Sequence, residues 1–204
     1  MLRRTAMTTR YTPEGWPGMN GRTLRWRRAI AAGVALLLIG ALAGCGTDGR
    51  MYEEAVAGAE SSLVTGLEIT ASQTAQLLAE RSAVSEISAD DIVDVFLTDA
   101  RDYEASPPNP VKTRAVFDIV ENADGSVTFS LFFKASVYRA SGLTSTSQSR
   151  HTCGTLTGKF TEPALSIGDR KCPPAIEEYA GDDSIFMPMT QNAEKYGAEI
   201  DTLP

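Results

Sequence analysis

The sequence has few of the residues on which enzymes and metal sites depend. Among its 204 residues there are one histidine, His151, and three cysteines, none of them in a C-x-x-C pair. A lone histidine at this spacing from the cysteines does not give the ligand sets that zinc requires. The chain also lacks a phosphate-binding glycine loop, a G-x-S-x-G nucleophile motif and an H-E-x-x-H motif. We therefore predict a non-enzymatic protein with no catalytic residue, no cofactor and no metal site.

Basic residues are also scarce over most of the chain. From residue 45 onward there are 12 Lys and Arg against 25 Asp and Glu, a net charge of −13. Such a surface repels nucleic acid and anionic lipid headgroups. We expect no nucleic-acid partner.

The N-terminal region has what the rest of the chain lacks, a basic cluster followed by a short apolar run. Four arginines between residues 22 and 28 precede an uncharged segment whose most apolar part is residues 34–39. This order, ending on small residues, is typical of a secretory signal peptide. We predict that residues 1–44 are an N-terminal extension and a signal peptide. Because residues 1–21 are long for the basic part, a translation start at Met19 is an alternative to Met1.

The apolar run ends on Leu42-Ala43-Gly44-Cys45, which resembles the lipobox of bacterial lipoproteins. The resemblance implies cleavage between Gly44 and Cys45 and a diacylglycerol on the Cys45 thiol. It also implies a mature protein held at the extracytoplasmic face of the cell membrane. The excess of Arg over Lys resembles that of high-GC Gram-positive bacteria. An uncleaved anchor is the alternative, but a membrane span needs about 20 predominantly apolar residues, and the apolar part here is shorter.

Two cysteines, Cys153 and Cys172, remain once Cys45 is assigned to lipid. Outside the cytoplasm thiols tend to pair, so we predict a disulfide between them. It would close a loop of about 20 residues and stabilise the fold by about 3 kcal/mol. His151 is expected to be a surface histidine beside this disulfide, because a Cys–His nucleophilic pair would need a free thiol.

The pattern of the first half of the chain after Cys45 predicts helices. Residues 45–50 are predicted to be the lipidated cysteine and a tether, followed by a globular domain over 51–180. Apolar residues recur at helical spacing from Tyr52 onward. A second helix is expected to be capped at Thr70 or Ser72, and a third at Ser88 with acidic residues in its first turn.

The pattern of the second half predicts strands. After the proline-rich segment 106–110 the apolar period changes to two, and Asp124-Gly125 predicts a hairpin turn. Alternation over residues 127–137 predicts a long strand with one buried face. Residues 141–149 are expected to lead into a polar edge strand, and residues 181–204 to form a C-terminal tail that is an irregular cover or partly disordered.

This order predicts an α+β fold in which N-terminal helices pack on an antiparallel β-sheet. The order of elements is similar to that of cystatin-like or NTF2-like folds. Phe132 and Tyr138 alternate opposite to the apolar face and are predicted to form a partner face if that side is open. The function expected from these features is a membrane-anchored binding or scaffolding protein whose partner is an unidentified protein or small molecule. The alternative is a small apolar-ligand carrier or an enzyme with a pocket between helices and sheet.

Overall fold

The structure is a computed structural model that describes residues 23–104, 113–160, 162–198 and 200. For residues 23–48 and for Pro163 it describes the backbone alone. The chain divides into two units, Met1–Gly46 and Thr47–Pro204. In the first unit the described backbone is helical. The proline-rich segment 106–110 lies outside the described residues.

Four helices and five strands make up the described chain, with short 3-10 turns at Val84–Glu86 and Glu178–Ala180. In chain order the elements are α1 (Thr23–Glu80), α2 (Ala89–Phe96), β1 (Arg114–Glu121), β2 (Ser126–Ser141), β3 (Thr144–Lys159), β4 (Glu162–Asp169), α3 (Pro174–Glu177), β5 (Ser184–Phe186) and α4 (Met189–Tyr196). Strands β1 to β4 form an antiparallel sheet in the order β1-β2-β3-β4, and β5 pairs with β3 in parallel. The α+β prediction is confirmed, with β5 making the sheet mixed.

One face of the sheet, here called the inner face, carries the main core. Phe129, Leu131 and Phe133 of β2 are buried there, as the alternation of residues 127–137 predicts. Apolar side chains from α1, α2 and α4 complete the same cluster. The rings of Phe96 and Phe129 have centroids 5.4 Å apart. The inner face is therefore closed by three helices.

The opposite face, here called the outer face, has a smaller core. Phe117, Phe132 and Cys153 pack there against Cys172 and Ile176. The predicted disulfide joins Cys153 to Cys172. It fixes the start of segment 172–186 to the sheet, and this segment is what covers the outer face.

The helices differ from the prediction at two points. Residues 70–72 lie inside α1 and do not begin a new helix, because the Thr70 hydroxyl donates to the Gly66 carbonyl at 2.7 Å. A threonine bonded to the carbonyl four residues earlier stays in the helix interior. Residues 46–50, predicted as a tether, also have helical backbone. The cap of α2 is confirmed, since Ser88 and Asp91 form a capping box.

The prediction of β3 as a polar edge strand agrees with residues 144–148, which pair with β2 alone, and is wrong from residue 149 onward. Over residues 149–159 this strand pairs with β2 on one side and with β5 or β4 on the other. At Gly154 an added Cβ would lie 2.5 Å from Met189 Sδ and 2.6 Å from the Gly168 carbonyl oxygen. Close packing in the sheet centre therefore requires glycine at this position of β3.

Residues 181–198 of the predicted C-terminal tail form regular elements, whereas an irregular cover or partial disorder was expected. They contain β5 and α4, and α4 packs on the inner face through Met189 and Ala193. Its polar side binds a buried carboxylate of α1. Lys195 Nζ lies 2.5 Å from Glu60 Oε2, and Asn192 Nδ2 donates to the Glu60 carbonyl oxygen at 3.1 Å. These contacts between polar groups explain why the hydrophobic pattern did not predict the helix.

In the part of the chain that the structure describes, no helix combines the length and the apolar character needed to cross a membrane.

Candidate functional site

A cleft of about 420 Å³ opens between the outer face and the segment that covers it. Its lining comes from β3, from α3 with its following 3-10 turn, and from the start of β5. The residues are His151, Pro174, Glu177, Glu178, Ala180, Gly181, Asp182 and Ser184. Gly181 has φ +76°, and this left-handed conformation turns the chain back towards β3. The turn brings Ser184 beside Ser149 in the sheet.

His151 contributes its ring to the cleft. The residue is only 3% exposed, so the expectation of a surface histidine is wrong. The Phe186 ring lies edge-on with its centroid 5.6 Å from that of the imidazole, and the Phe132 centroid lies 6.2 Å away. Burial follows from β5, which pairs beside His151 and carries Phe186 over it.

The two ring nitrogens of His151 have different surroundings. Nδ1 lies 3.0 Å from Ser184 Oγ, within hydrogen-bonding distance. Nε2 is buried and has no hydrogen-bond partner among the described residues. Buried polar nitrogens are nearly always paired in folded proteins. Four other buried polar atoms of the described residues are likewise unpaired, so the unpaired Nε2 does not by itself mark a site.

Burial lowers the pKa of His151, since the charged imidazolium loses solvation. The carboxylate of Glu177 opposes this shift, and the ammonium of Lys134 adds to it. Lys134 Nζ is directed to the Tyr179 carbonyl oxygen at 3.5 Å. The imidazole is accordingly neutral at neutral pH, with one nitrogen as donor and the other as acceptor.

A row of serine hydroxyls runs from the cleft along the outer face. Ser184 Oγ lies 3.3 Å from Ser149 Oγ, which lies 2.9 Å from Ser136 Oγ. The Ser184–His151 contact has the length of a nucleophile–base pair. Glu177 acts on His151 through its charge, and no hydrogen bond joins the two in the described contacts. The Cys–His alternative is excluded, because Cys153 is in the disulfide.

The structure separates the two residues of the predicted partner face. Phe132 is 1% exposed beneath segment 172–180, so it packs in the outer core and is not open to a partner. Tyr138 is 64% exposed and lies on the β2–β3 arm, defined here as residues 136–148. Leu143 at the tip of this arm is fully exposed. The side chains of Gly44 and Cys45, the predicted cleavage and lipidation residues, lie outside the described part of the structure.

Three other places in the described chain bear on a possible site: a metal-binding group, the interface between helices and sheet, and a second cleft. No group of three or more His, Cys, Asp or Glu that could hold a metal ion occurs in the described residues. The interface between the helices and the inner face is filled by core side chains. A cleft of about 430 Å³ where β3 ends and β4 begins is lined by Asp124, Lys159 and Leu165 among others, and Leu165 is also part of the main core.

Comparison with known protein families, with curated proteins and with solved structures finds no match for this chain. The similarity to cystatin-like or NTF2-like folds stays a prediction. The function has to be argued from the residues themselves.

Sequence reasoning missed three residues around His151: the cleft residues Glu177 and Ser184, and Phe186, whose ring packs on the imidazole. They lie after the double proline 173–174, where no periodic pattern marks an element. The parallel pairing of β5 with β3 brings Ser184 and Phe186 to His151 from 33 and 35 residues away in the sequence. Three-residue strands carry too little pattern for a sequence signal.

Proposed function

We propose that this chain is a lipoprotein anchored at the extracytoplasmic face of the cell membrane, where its globular domain has a binding or scaffolding role. The observation that carries the proposal is Leu42-Ala43-Gly44-Cys45 at the end of the apolar run. Cleavage before Cys45 would remove residues 1–44, and the thiol would carry a diacylglycerol. Two acyl chains hold a protein firmly, since each buried CH₂ contributes about 0.8 kcal/mol.

Two features of the rest of the chain support the proposal. The second compact unit begins at Thr47, so cleavage before Cys45 leaves that unit whole. The disulfide between Cys153 and Cys172 is typical of oxidising compartments outside the cytoplasm. Both features agree with an exported, anchored domain.

The binding role is supported by the exposed apolar residues of the β2–β3 arm. Tyr138 and Leu143 are both largely exposed there, and exposed apolar and aromatic residues are characteristic of interaction surfaces. The alternative of a pocket between helices and sheet gains no support from that interface, which core side chains fill.

The test is intact mass together with membrane fractionation of the full chain expressed in a lipoprotein-processing bacterium. Wild type is compared with Cys45→Ala, which has no thiol to lipidate. Gly46→Ala is the matched control, because it changes the neighbouring residue and keeps the four lipobox residues. We expect wild type and Gly46→Ala to begin at Cys45 with added acyl mass and to partition to the membrane.

Cys45→Ala is expected to lose the acyl mass and the cleavage before residue 45. If wild type and Cys45→Ala both retain residues 1–44 and fractionate alike, the lipoprotein proposal is overturned. An unprocessed chain in the membrane would then favour the uncleaved anchor.

A further inference from the structure

We propose that the tip of the β2–β3 arm inserts into the surface of the bilayer that holds the lipid anchor on Cys45. The inference rests on the proposed lipoprotein function and names the lipid surface as the partner of the exposed arm. Three observations carry it: the direction in which the arm runs along α1, an exposed leucine at its turn, and the absence of acidic residues from it.

Two contacts show that β2 and α1 run side by side in opposite directions. A Cβ added to Gly66 of α1 would lie 3.7 Å from Phe133, and one added to Gly58 would lie 3.4 Å from Val137. The step between these contacts is about 12 Å along the helix and about 13 Å along the strand, so the two elements stay in register. Later residues of β2 therefore lie beside earlier turns of α1, and the arm points towards the start of the second unit.

The arm is long enough to reach the level of the anchor. Leu143 lies six residues beyond Val137, which is about 20 Å at the rise of a strand. Thr47, where the second unit begins, lies 11 residues before Gly58, which is about 16 Å at the rise of a helix. Cys45 precedes Thr47 by two residues and is within about 7 Å of it in any backbone conformation. The tip of the arm thus extends as far along α1 as the point where the anchored chain begins.

The turn at the end of the arm carries an apolar side chain. Gly142 and Leu143 form the two-residue turn between the paired residues Ser141 and Thr144, with Gly142 at φ +60°. Turn positions favour glycine and short polar residues, yet this turn has a leucine that is fully exposed. Insertion into the interfacial layer of a bilayer would remove this side chain from water.

The charge of the arm suits a lipid surface, unlike that of the rest of the domain. From residue 45 onward there are 25 Asp and Glu, but none lies between residues 125 and 161. The only charged residue of the arm is Arg139, and its exposed guanidinium suits the phosphates of lipid headgroups. Residues 140–145, here called the arm tip, are uncharged and exposed throughout. The arm is therefore the segment of this acidic domain that a bilayer does not repel.

A bilayer accounts for the position of the leucine better than an added protein strand does. Among the described residues, 135–141 and 144–148 pair only with each other, so both backbone edges of the arm are open. A partner strand would pair along one of these edges and use side chains beside it. Leu143 lies at the turn, beyond the end of both edges. We therefore assign the arm tip to lipid and treat strand addition as the competing outcome of the test.

Tryptophan fluorescence tests the proposal. Both native tryptophans, Trp16 and Trp26, precede Cys45 and are removed when the chain is processed, so Leu143→Trp carries the only indole of the mature protein. The full chain is expressed in a lipoprotein-processing bacterium and reconstituted in phosphatidylcholine vesicles, with and without bromine-labelled acyl chains. We expect the emission of Leu143→Trp to shift to shorter wavelength and to lose intensity with the brominated lipid.

Two matched reporters show whether the effect belongs to the arm tip. Ala123→Trp places the indole in the exposed β1–β2 turn, at the opposite end of β2. Tyr138→Trp keeps an aromatic residue on the arm, five residues or about 16 Å before Leu143. Both variants are expected to emit at the longer wavelength of an exposed indole and to keep their intensity with brominated lipid.

Intact mass separates this proposal from the anchoring proposal. A chain that retains residues 1–44 and carries no acyl group overturns both. A lipidated chain in which Leu143→Trp behaves like Ala123→Trp overturns the arm proposal alone. A shift to shorter wavelength in Leu143→Trp and Tyr138→Trp together, without quenching by brominated lipid, also overturns it, because the arm would then be covered by protein.

Discussion

The two faces of one sheet are closed in different ways. Three helices cover the inner face and bury a continuous row of large side chains from β2. The outer face is covered mainly by segment 172–186, which a disulfide holds at its start, together with Ala100 and Tyr103 beside Phe117. The thick cover leaves a filled interface, whereas the thin cover leaves a cleft with a buried histidine in its wall. On the outer face, the cleft thus lies where regular secondary structure is shortest.

The contrast between the two faces would fail most clearly if the inner face were not the main source of stability. Phe129 is fully buried and packs on Phe96, so Phe129→Ala is expected to lower the free energy of unfolding by about 3–5 kcal/mol. Tyr138→Ala on the exposed arm is the control, with an expected change within about 0.5 kcal/mol. Urea unfolding followed by circular dichroism measures both values. Equal losses would contradict the division between a packed face and an open arm.

The outer face should depend on its covalent link more than on packing. The double variant Cys153→Ala/Cys172→Ala is expected to lose about 3 kcal/mol of stability, as for a native disulfide closing a loop of this length. It should also change the imidazole signals of His151, because the covering segment is no longer fixed. The aromatic signals of Phe96 and Phe129 on the inner face serve as the control and should stay in place. If the His151 signals stay unchanged, the disulfide does not organise the cleft.

A buried ion pair beside the main core gives a finer test of the same contrast. Glu60 is 5% exposed and faces Arg150, also 5% exposed, with Nε–Oε1 at 3.9 Å. Glu60→Gln leaves the buried guanidinium without its carboxylate and is expected to cost about 2 kcal/mol. Lys195→Gln removes a mostly exposed partner of the same carboxylate and is expected to cost about 0.5 kcal/mol. Thermal unfolding of both variants measures the difference, and a larger loss in Lys195→Gln would reverse this ranking.

The smallest expected effect is a pH dependence that belongs to the outer face. Burial lowers the pKa of folded His151 below its ordinary value of about 6.5. The unfolded chain therefore binds a proton first as the pH falls, and stability decreases from about pH 6.5 down to the folded pKa. Unfolding measured between pH 7.5 and 5 should show this decrease in wild type, and His151→Gln should flatten it. An increase in stability over the same range would contradict a neutral buried imidazole.

Periodicity predicted the elements that bury one regular face. The β2 strand, the α2 helix with its Ser88 cap and the disulfide were all expected from local pattern or from cysteine pairing. The strand and the helix depend on residues close in sequence. The disulfide was predicted from the tendency of exported thiols to pair, which does not require the fold to be known. The fold class followed from their order.

The cleft was beyond such reasoning because distant residues build it. His151 was expected at the surface, since nothing in its own strand indicates that Phe186 covers it. Phe132 and Tyr138 were expected on the same face of the strand, and their alternation agrees with this. Segment 172–180, however, buries Phe132 and leaves Tyr138 exposed. Whether a sheet face is buried depends on which segments of the chain pack over it. The alternation of residues along a strand does not predict those segments.

The contact between Glu60 and α4 also sets an order of events during synthesis. The two α4 residues that bind Glu60 follow it by 132 and 135 residues. The ribosome makes α1 before α4, so the local β2–β3 hairpin can pair before the polar contacts between α1 and α4 can form. Long-range contacts of this kind slow folding. The contacts of Glu60 with α4 can therefore form only after residue 195 has been synthesised.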